Sequence, residues 1–210
     1  MTLPRLYPIL DTALLAKRGF PVLGAAEAMI EGGARILQYR HKGHFSRCVY
    51  GQAQRVCELC RRFGAAFVVN DRADMARLLE AGLHVGQEDL PPAAARRILG
   101  PDGLLGFSTH NEAQLRAAEA EPVDYVALGP IFGTASKERA DPVVGVERLR
   151  QWRRLTSRPL VAIGGITREN AAEVLAAGAD AVAVISDLVP DPCTGPALRE
   201  RVEEWNRIVR

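Results

Sequence analysis

Short apolar runs alternate along the chain with longer segments in which apolar residues recur at helical spacing. Eight apolar runs are predicted to be strands, at Leu6–Leu10, Arg35–Tyr39, Ala66–Asn70, Leu83–Val85, Leu104–Phe107, Tyr125–Leu128, Leu160–Ile163 and Ala181–Ile185. The segments after them are predicted to be helices, at Gly24–Glu31, Ser46–Phe63, Arg72–Glu80, Pro92–Leu99, Glu112–Ala120, Val146–Arg154, Arg168–Ala177 and Pro196–Val209. Strand–helix alternation indicates an α/β fold with a parallel sheet, and eight such units predict a closed (β/α)₈ TIM barrel.

An open doubly wound sheet is the alternative architecture for alternating strands and helices. It usually carries a glycine fingerprint after its first strand. Here the first strand leads into Asp11-Thr12-Ala13, and the chain contains no GxGxxG motif. No linker or low-complexity tract interrupts the pattern, so residues 1–210 are predicted to form a single barrel domain. The chain is shorter than the roughly 250 residues of a typical barrel, which requires short loops.

Composition excludes some classes of partner. The net charge is +2, which argues against binding of nucleic acid or a membrane through bulk charge. No apolar run approaches the ~20 residues needed to span a bilayer, and the first residues lack the apolar core of a signal peptide. Cys57 and Cys60 form a CxxC within a predicted helix, without a second pair for zinc. They are expected to be buried thiols, which together with the other cysteines fit a reducing cytoplasm.

Acidic residues follow the third and fourth predicted strands. Asp71 comes just after Asn70, and Asp89 lies in the segment Gly86-Gln87-Glu88-Asp89. Neighbouring parallel strands bring these positions to one edge of the sheet, and a pair of carboxylates suits Mg²⁺, which takes further ligands from water and phosphate. The alternative is that Asp71 and Asp74 cap one helix and that Asp89 caps the next.

Basic and amide side chains follow the second strand. Strand alternation directs Gln38, Arg40 and Lys42 to one side, a set suited to a polyanion attached to a hydrogen-bonding ring. A solvated loop of charges is the simpler interpretation. After the fifth strand, Ser108 offers a hydroxyl for a phosphate oxygen, although the segment from Ser108 to Asn111 could equally be a helix cap.

Hydroxyl groups, glycines and one lysine follow the last three strands. Thr134, Ser136 and Lys137 are candidates for an anion site, in a loop from Gly129 to about Gly145 that is predicted to be a functional lid rather than an ordinary exposed loop. Gly165 and Ser186 follow strands seven and eight, where barrels commonly bind phosphate. The three basic side chains and Mg²⁺ outweigh the two carboxylates by about +3, which suits a diphosphate. The pattern therefore predicts a diphosphate leaving group that meets a phosphorylated acceptor.

The motifs named so far, in this order and spacing, resemble those of the thiamine phosphate synthase family over nearly the whole chain. The resemblance rests on Gln38-x-Arg40-x-Lys42, Asn70-Asp71, Gly86-Gln87-Glu88-Asp89, Ser108-Thr109-His110, residues 124–132, Thr134-x-Ser136-Lys137, residues 162–166 and Ile185-Ser186. It implies a cytoplasmic transferase that joins 4-amino-2-methyl-5-hydroxymethylpyrimidine diphosphate to a thiazole phosphate and releases pyrophosphate. It leaves the oligomeric state open, a homo-oligomer included.

The resemblance also implies roles for individual residues. The pyrimidine diphosphate would be held by Gln38, Arg40, Lys42, Asn70, Ser108 and Lys137, Mg²⁺ by Asp71 and Asp89, and the thiazole phosphate by Thr134, Ser136, Gly165, Ile185 and Ser186. Arg40, Lys42 and Lys137 would be catalytic, because they stabilise the pyrophosphate as it leaves in a dissociative substitution.

Two other functions fit the same barrel. One is a thiazole tautomerase, an isomerase that needs no metal and for which His110 would be the base. The paired acids Asp71 and Asp89 argue against it. The other is a sensor that binds a phosphorylated ligand without turnover, for which Lys137 beside the metal site would be unnecessary.

Overall fold

Eight parallel strands form a closed barrel in the computed structural model, which describes residues 3–133 and 141–210. The strands are β1 (Leu6–Asp11), β2 (Ile36–Arg40), β3 (Ala66–Asn70), β4 (Gly82–Val85), β5 (Leu105–Thr109), β6 (Tyr125–Leu128), β7 (Leu160–Ile163) and β8 (Ala181–Val184). Each strand pairs with its neighbours in chain order, and β8 pairs with β1 through Leu6 and Val182. The predicted TIM barrel is thereby confirmed. The assignment of residues 1–210 to one domain stays a prediction.

Helices surround the barrel on its outer face. They are α1 (Thr12–Lys17), α2 (Val22–Glu31), α3 (Arg47–Arg62), α4 (Ala73–Leu78), α5 (Pro92–Leu99), α6 (Glu112–Ala118), α7 (Val146–Trp152), α8 (Ala171–Ala176) and α9 (Gly195–Ile208). Short 3₁₀ helices at Arg153–Leu155 and Ser186–Leu188 follow α7 and β8. Among the described residues, no helix is long and apolar enough to cross a membrane.

The predicted helices differ from the observed ones mainly at their ends. Helix α1 was absent from the prediction, because six residues give too little periodicity. Helix α8 begins at Ala171 rather than Arg168, since the side-chain oxygen of Asn170 accepts the Thr167 N–H at 2.9 Å and forms a turn there. Strand β8 ends at Val184, one residue early, because the 3₁₀ helix begins at Ser186.

Alternation along the strands divides the buried side chains into two layers. One set fills the barrel and includes Tyr7, Ile9, Val68 and Tyr125. The other packs between the sheet and the helices, where Cys57 and Cys60 are buried as predicted. Polar residues also lie inside, namely the buried Gln38, Asn70 and His84. The interior is therefore a packed core with a polar layer toward the carboxyl ends of the strands.

Two arginines bind backbone carbonyls at the amino-terminal ends of β5, β6 and β7. The Arg96 guanidinium donates to the carbonyls of Gly100, Gly103 and Pro122, at 3.0, 2.6 and 3.0 Å. The Arg158 guanidinium donates to the carbonyls of Glu119, Glu121 and Val123. These arginines fix the incoming loops on the face of the barrel opposite the strand carboxyl ends.

Candidate active site

Charged side chains gather at the carboxyl ends of the first four strands. Strand register places Asp11 beside Arg40, and Asn70 beside His84. Lys42 and Asp71 follow β2 and β3, and Asp89 follows β4. We call this group the charged rim: Asp11, Arg40, Lys42, Asp71 and Asp89.

Asp71 is the centre of the charged rim. Its φ of 66° lies in the left-handed region, which is uncommon for residues other than glycine and least so for Asn and Asp. The backbone N–H donates to the His84 carbonyl at 2.8 Å, and Lys42 Nζ donates to Oδ2 at 2.5 Å. Burial raises the pKa of Asp71 above its usual range, the neighbouring Asp89 carboxylate adds to the rise, and Lys42 opposes it. Two carboxylates and an ammonium therefore share one small volume.

Neither acid caps a helix, contrary to the alternative interpretation of the sequence. The N-cap of α4 is Arg72 and that of α5 is Pro91, both without a side-chain capping bond. Asp89 Oδ2 instead accepts the Gly86 N–H at 2.7 Å, which folds the loop after β4. Asp74 pairs with Arg72 on the surface. Asp71 and Asp89 therefore do not serve as helix caps.

Arg40 forms an ion pair with Asp11, a partner that was not among the predicted site residues. The guanidinium donates to Asp11 Oδ2, while Oδ1 of the same carboxylate accepts the Leu14 N–H at 2.9 Å and caps α1. Both side chains are largely buried, with 17% and 8% exposed. The signal was present in the sequence, since Asp11 is an acid at the end of the first strand. The negative charge of Asp11 makes the charged rim less positive than the sum of about +3 that was expected from the sequence.

Polar side chains of the barrel interior line the floor of the site. Ser108 Oγ lies 2.8 Å from His84 Nε2 rather than capping α6, which is capped by Asn111. Gln38 Nε2 donates to Tyr7 Oη at 3.2 Å. Asn70 Nδ2 is buried and has no hydrogen-bond partner among residues 3–133 and 141–210. A buried donor without a partner is costly, which marks Asn70 as a contact for a ligand.

Backbone and small side chains form the opposite side of the site, after β7 and β8. We call Gly164, Gly165, Ile185 and Ser186 the neutral rim. The φ of Gly165 is +63°, and a Cβ atom there would lie 2.5 Å from the Gly133 carbonyl oxygen. Only glycine fits this backbone, which packs against the loop after β6 through the bond from Phe132 N–H to the Gly164 carbonyl at 3.0 Å.

A half-buried ion network lies beneath Ser186. Ser186 is exposed and begins a 3₁₀ helix, whose second residue, Asp187, points inward. The Asp187 carboxylate accepts hydrogen bonds from Trp205 Nε1 at 2.9 Å and from Arg168 Nε at 3.1 Å. Arg201 also donates to the Asp187 carbonyl at 2.7 Å. The bonds from Trp205 and Arg201 anchor Asp187 to α9 and so hold Ser186 at the surface of the site.

His110 is oriented by its neighbours. Its Nδ1 lies 2.6 Å from the Gly129 carbonyl oxygen and 3.5 Å from Asp141 Oδ2. Both partners are acceptors, so Nδ1 carries a proton in this arrangement. Three further residues predicted to be functional, Thr134, Ser136 and Lys137, lie outside the described residues.

The charged rim has a donor set suited to Mg²⁺. Within the described parts of the chain, no cluster of three or more His, Cys, Asp and Glu side chains forms a complete metal site. A magnesium ion does not need one, because it commonly binds through one or two carboxylates and takes water and substrate phosphate for the rest. The adjacent oxygens of Asp71 and Asp89 fit that requirement.

The comparisons with known proteins agree on one family. The family model described as thiamine monophosphate synthase matches residues 6–188. A thiamine-phosphate synthase from Koribacter versatilis is 46% identical over the whole chain and 97% of its own length. Another, from Chloroflexus aurantiacus, is 44% identical over 88% of this chain and 85% of its own.

A solved structure shows the same similarity in three dimensions. Thiamine phosphate pyrophosphorylase from Pyrococcus furiosus superimposes with a TM-score of 0.84 at 32% identity, over 98% of this chain and 95% of that one. The transferase function that the motifs predicted is confirmed by these relatives. The chain belongs to the thiamine monophosphate synthase family.

Proposed function

We propose that this enzyme joins 4-amino-2-methyl-5-hydroxymethylpyrimidine diphosphate to a thiazole phosphate, giving thiamine phosphate and pyrophosphate. The observation that carries the proposal is the charged rim, where Lys42 contacts Asp71 and the Asp89 carboxylate adjoins it. Family membership supplies the reaction class, and these side chains are suited to a diphosphate rather than to a single phosphate.

Asp71 and Asp89 would hold Mg²⁺. When bound, the ion supplies positive charge that stabilises the departing pyrophosphate. Lys42, with its side chain 53% exposed, is free to move from Asp71 toward a diphosphate oxygen. Arg40 is less mobile, because Asp11 holds its guanidinium at the end of β2. Arg40, Lys42 and Lys137 are proposed to bind the leaving group more strongly as its charge grows.

Placement of the two rings follows from the same arrangement. Gln38, Asn70 and Ser108 would bind the pyrimidine, and Asn70 Nδ2, which has no partner in the described part of the chain, supports this role. Thr134, Ser136, Gly165, Ile185 and Ser186 would bind the thiazole phosphate. The methylene C–O bond to pyrophosphate breaks, and the thiazole nitrogen then forms the new C–N bond with the methylene carbon. The protein contributes orientation and electrostatics rather than a covalent nucleophile.

The test is synthesis of thiamine phosphate by the purified protein. Pyrimidine diphosphate and thiazole phosphate are incubated with the enzyme, with and without Mg²⁺, and the product is detected by oxidation to fluorescent thiochrome phosphate. We expect product only when Mg²⁺ is present. The matched control is Asp74→Asn, which removes an exposed acid that pairs with Arg72 and should leave the activity unchanged.

The same assay separates the other candidate functions. Isomerisation of a thiazole carboxylate phosphate without Mg²⁺, and no condensation, would identify a tautomerase. Binding of both phosphate esters without any product would identify a sensor. We also infer that the enzyme acts in the cytoplasm, as its free thiols suggest, and leave a homo-oligomer as a hypothesis for sedimentation analysis.

A further inference from the structure

A chain of hydrogen bonds crosses the barrel interior and ends at two proposed pyrimidine contacts. Gln38 Nε2 donates to Tyr7 Oη at 3.2 Å, and Tyr7 Oη lies 2.7 Å from Tyr125 Oη. Tyr125 Oη lies 3.0 Å from His84 Nδ1, and His84 Nε2 lies 2.8 Å from Ser108 Oγ. Five side chains from β1, β2, β4, β5 and β6 are therefore connected beneath the site.

The two tyrosines at the centre of the chain are fixed and neutral. Each is only 1% exposed, and burial raises the pKa of Tyr7 to about 12 and that of Tyr125 well above its usual value. The ring of Tyr125 lies across Gly106, where a Cβ atom would be 2.0 Å from the ring carbon Cζ. The same ring stacks on His84, with ring centroids 5.6 Å apart. Neither phenol can leave its place without a cavity in the packed interior.

The number of protons that each group can donate limits the directions of these hydrogen bonds. A neutral phenol and a neutral imidazole each have a single proton to donate. In the arrangement that uses every proton within the network, Gln38 donates to Tyr7, Tyr7 donates to Tyr125, Tyr125 donates to His84 Nδ1, and His84 Nε2–H donates to Ser108 Oγ. The Ser108 proton then points toward the ligand, and Gln38 presents its carbonyl oxygen. The opposite tautomer of His84 would reverse its bonds to Tyr125 and Ser108, and with them the bond between the two phenols.

We propose that Tyr7 and Tyr125 are positioning residues that set the hydrogen-bond pattern Gln38 and Ser108 present to the pyrimidine ring. The inference rests on the proposed function. In the stated polarity, the Gln38 carbonyl accepts from an exocyclic amino group, and the Ser108 hydroxyl donates to a ring nitrogen. An oxo-pyrimidine has the opposite pattern, with a carbonyl acceptor and a ring N–H donor. The hydrogen-bonded side chains therefore favour binding of an aminopyrimidine over the corresponding oxo-pyrimidine.

The experiment compares Tyr125→Phe with Tyr39→Phe. Tyr39 is the matched control, because it is also buried and its hydroxyl donates to one side chain, Gln52 Oε1 at 2.8 Å. Unlike Tyr125, it lies on the outer face of the sheet, between the strands and the helices. Steady-state kinetics are measured with the amino and the 4-oxo pyrimidine diphosphates. We expect wild type and Tyr39→Phe to prefer the amino substrate by roughly a hundredfold or more in kcat/KM. In Tyr125→Phe that preference should fall at least about tenfold, with the KM for thiazole phosphate unchanged.

Tyr7→Phe is a second variant, which cuts the chain at its other phenol and should give the same loss of preference. Unchanged preference in both variants, with wild-type product formation intact, would overturn the inference about the tyrosines but not the proposed function.

Nitrogen-15 NMR of labelled histidine gives a readout independent of activity. His84 should be a neutral Nε2–H tautomer in wild type and in Tyr39→Phe, and should change in Tyr125→Phe. An Nδ1–H tautomer in wild type would overturn the stated polarity. Absence of product from wild type would reject the proposed function and with it the ring selection.

Discussion

The charged rim and the neutral rim occupy the same mouth of the barrel but are built differently. The charged rim uses long side chains that are paired with one another, as in Arg40 with Asp11 and Lys42 with Asp71. The neutral rim uses a glycine backbone and the short side chain of Ser186, supported from beneath by Asp187. Lys42 in the charged rim can exchange partners when a ligand arrives, whereas the neutral rim is fixed before binding.

This difference fits the two proposed ligands. A leaving diphosphate gains charge during the reaction, so its site benefits from charges that respond to it. A phosphate ester that only needs to be held in place is well served by rigid donors. We expect substitutions in the charged rim to affect kcat as well as the KM for pyrimidine diphosphate, and those in the neutral rim to affect only the KM for thiazole phosphate.

Asp71→Ala should have the largest effect. The variant loses one of two proposed metal ligands, so we expect kcat to fall by about a hundredfold to a thousandfold, with a higher Mg²⁺ requirement. Titration of the rate with Mg²⁺ gives both numbers. The Asp74→Asn control should match wild type. An Asp71→Ala enzyme with normal Mg²⁺ dependence would show that the metal is held elsewhere.

Ser186→Glu tests the neutral rim. The longer, negatively charged side chain should repel the thiazole phosphate and raise its KM by roughly tenfold to a hundredfold, which corresponds to about 1.4 to 3 kcal/mol. The affinity for pyrimidine diphosphate should stay within about twofold, as measured by calorimetric titration of each ligand alone. Equal weakening for both ligands would indicate misfolding or a misplaced phosphate site. Ser186→Ala serves as the uncharged control.

Ionic strength should affect ligand binding at the charged rim more than at the neutral rim, and this can be tested with the unmodified enzyme. Raising the ionic strength from about 0.05 M to about 0.5 M shortens the screening length severalfold and weakens attraction between exposed charges. We expect the KM for pyrimidine diphosphate to rise several-fold, and that for thiazole phosphate to rise much less, because its donors are mostly neutral. Potassium chloride at constant free Mg²⁺ is the appropriate titrant. Parallel increases for both substrates would contradict the distinction.

The smallest expected effect is on stability. Burial raises the pKa of Asp71, so the folded protein binds a proton at this carboxylate more readily than the unfolded chain does. The free energy of unfolding therefore decreases as the pH rises through the pKa of the folded state, where Asp71 becomes charged. Asp71→Asn should therefore raise the Tm of the metal-free protein at pH 7, with a difference that shrinks at acidic pH. Differential scanning calorimetry at both values tests the sign.

Asp74 provides the opposite case. Its hydrogen bonds from Arg72 lower its pKa, so its charge contributes stability that is lost as the pH falls through the folded value. Asp74→Asn should lower the Tm slightly at pH 7, since the pair is exposed and screened. If Asp71→Asn lowered the Tm at pH 7 as Asp74→Asn does, burial would not be the largest effect on the pKa of Asp71.

The barrel and the positions of its functional loops were predictable from the sequence. Apolar runs such as Ala66–Asn70 and Leu160–Ile163 mark buried strands, because a parallel sheet covered on both faces needs continuous hydrophobicity. Polar residues after such runs must lie at the carboxyl ends. That argument located Asp71, Asp89 and Ser186 without coordinates.

The partners of those residues were not predictable in the same way. The ion pair between Arg40 and Asp11 depends on register between β1 and β2, and the contact between Tyr7 and Tyr125 spans the barrel interior. Sequence spacing gives the face on which a side chain lies but not which side chain it meets across the barrel. His84 lies within β4, and its spacing in the sequence gives no sign that it contacts Ser108 in the hydrogen-bond network.

The arginines at the amino-terminal face have a consequence for mutational tolerance. Arg96 and Arg158 hold the loops before β5, β6 and β7 largely through carbonyl oxygens, which every residue type provides. Most side chains in those loops are therefore replaceable, while the two arginines are not. A deep mutational scan should show this face as a tolerant surface interrupted by two intolerant positions, so that sequence drift there leaves the catalytic mouth undisturbed.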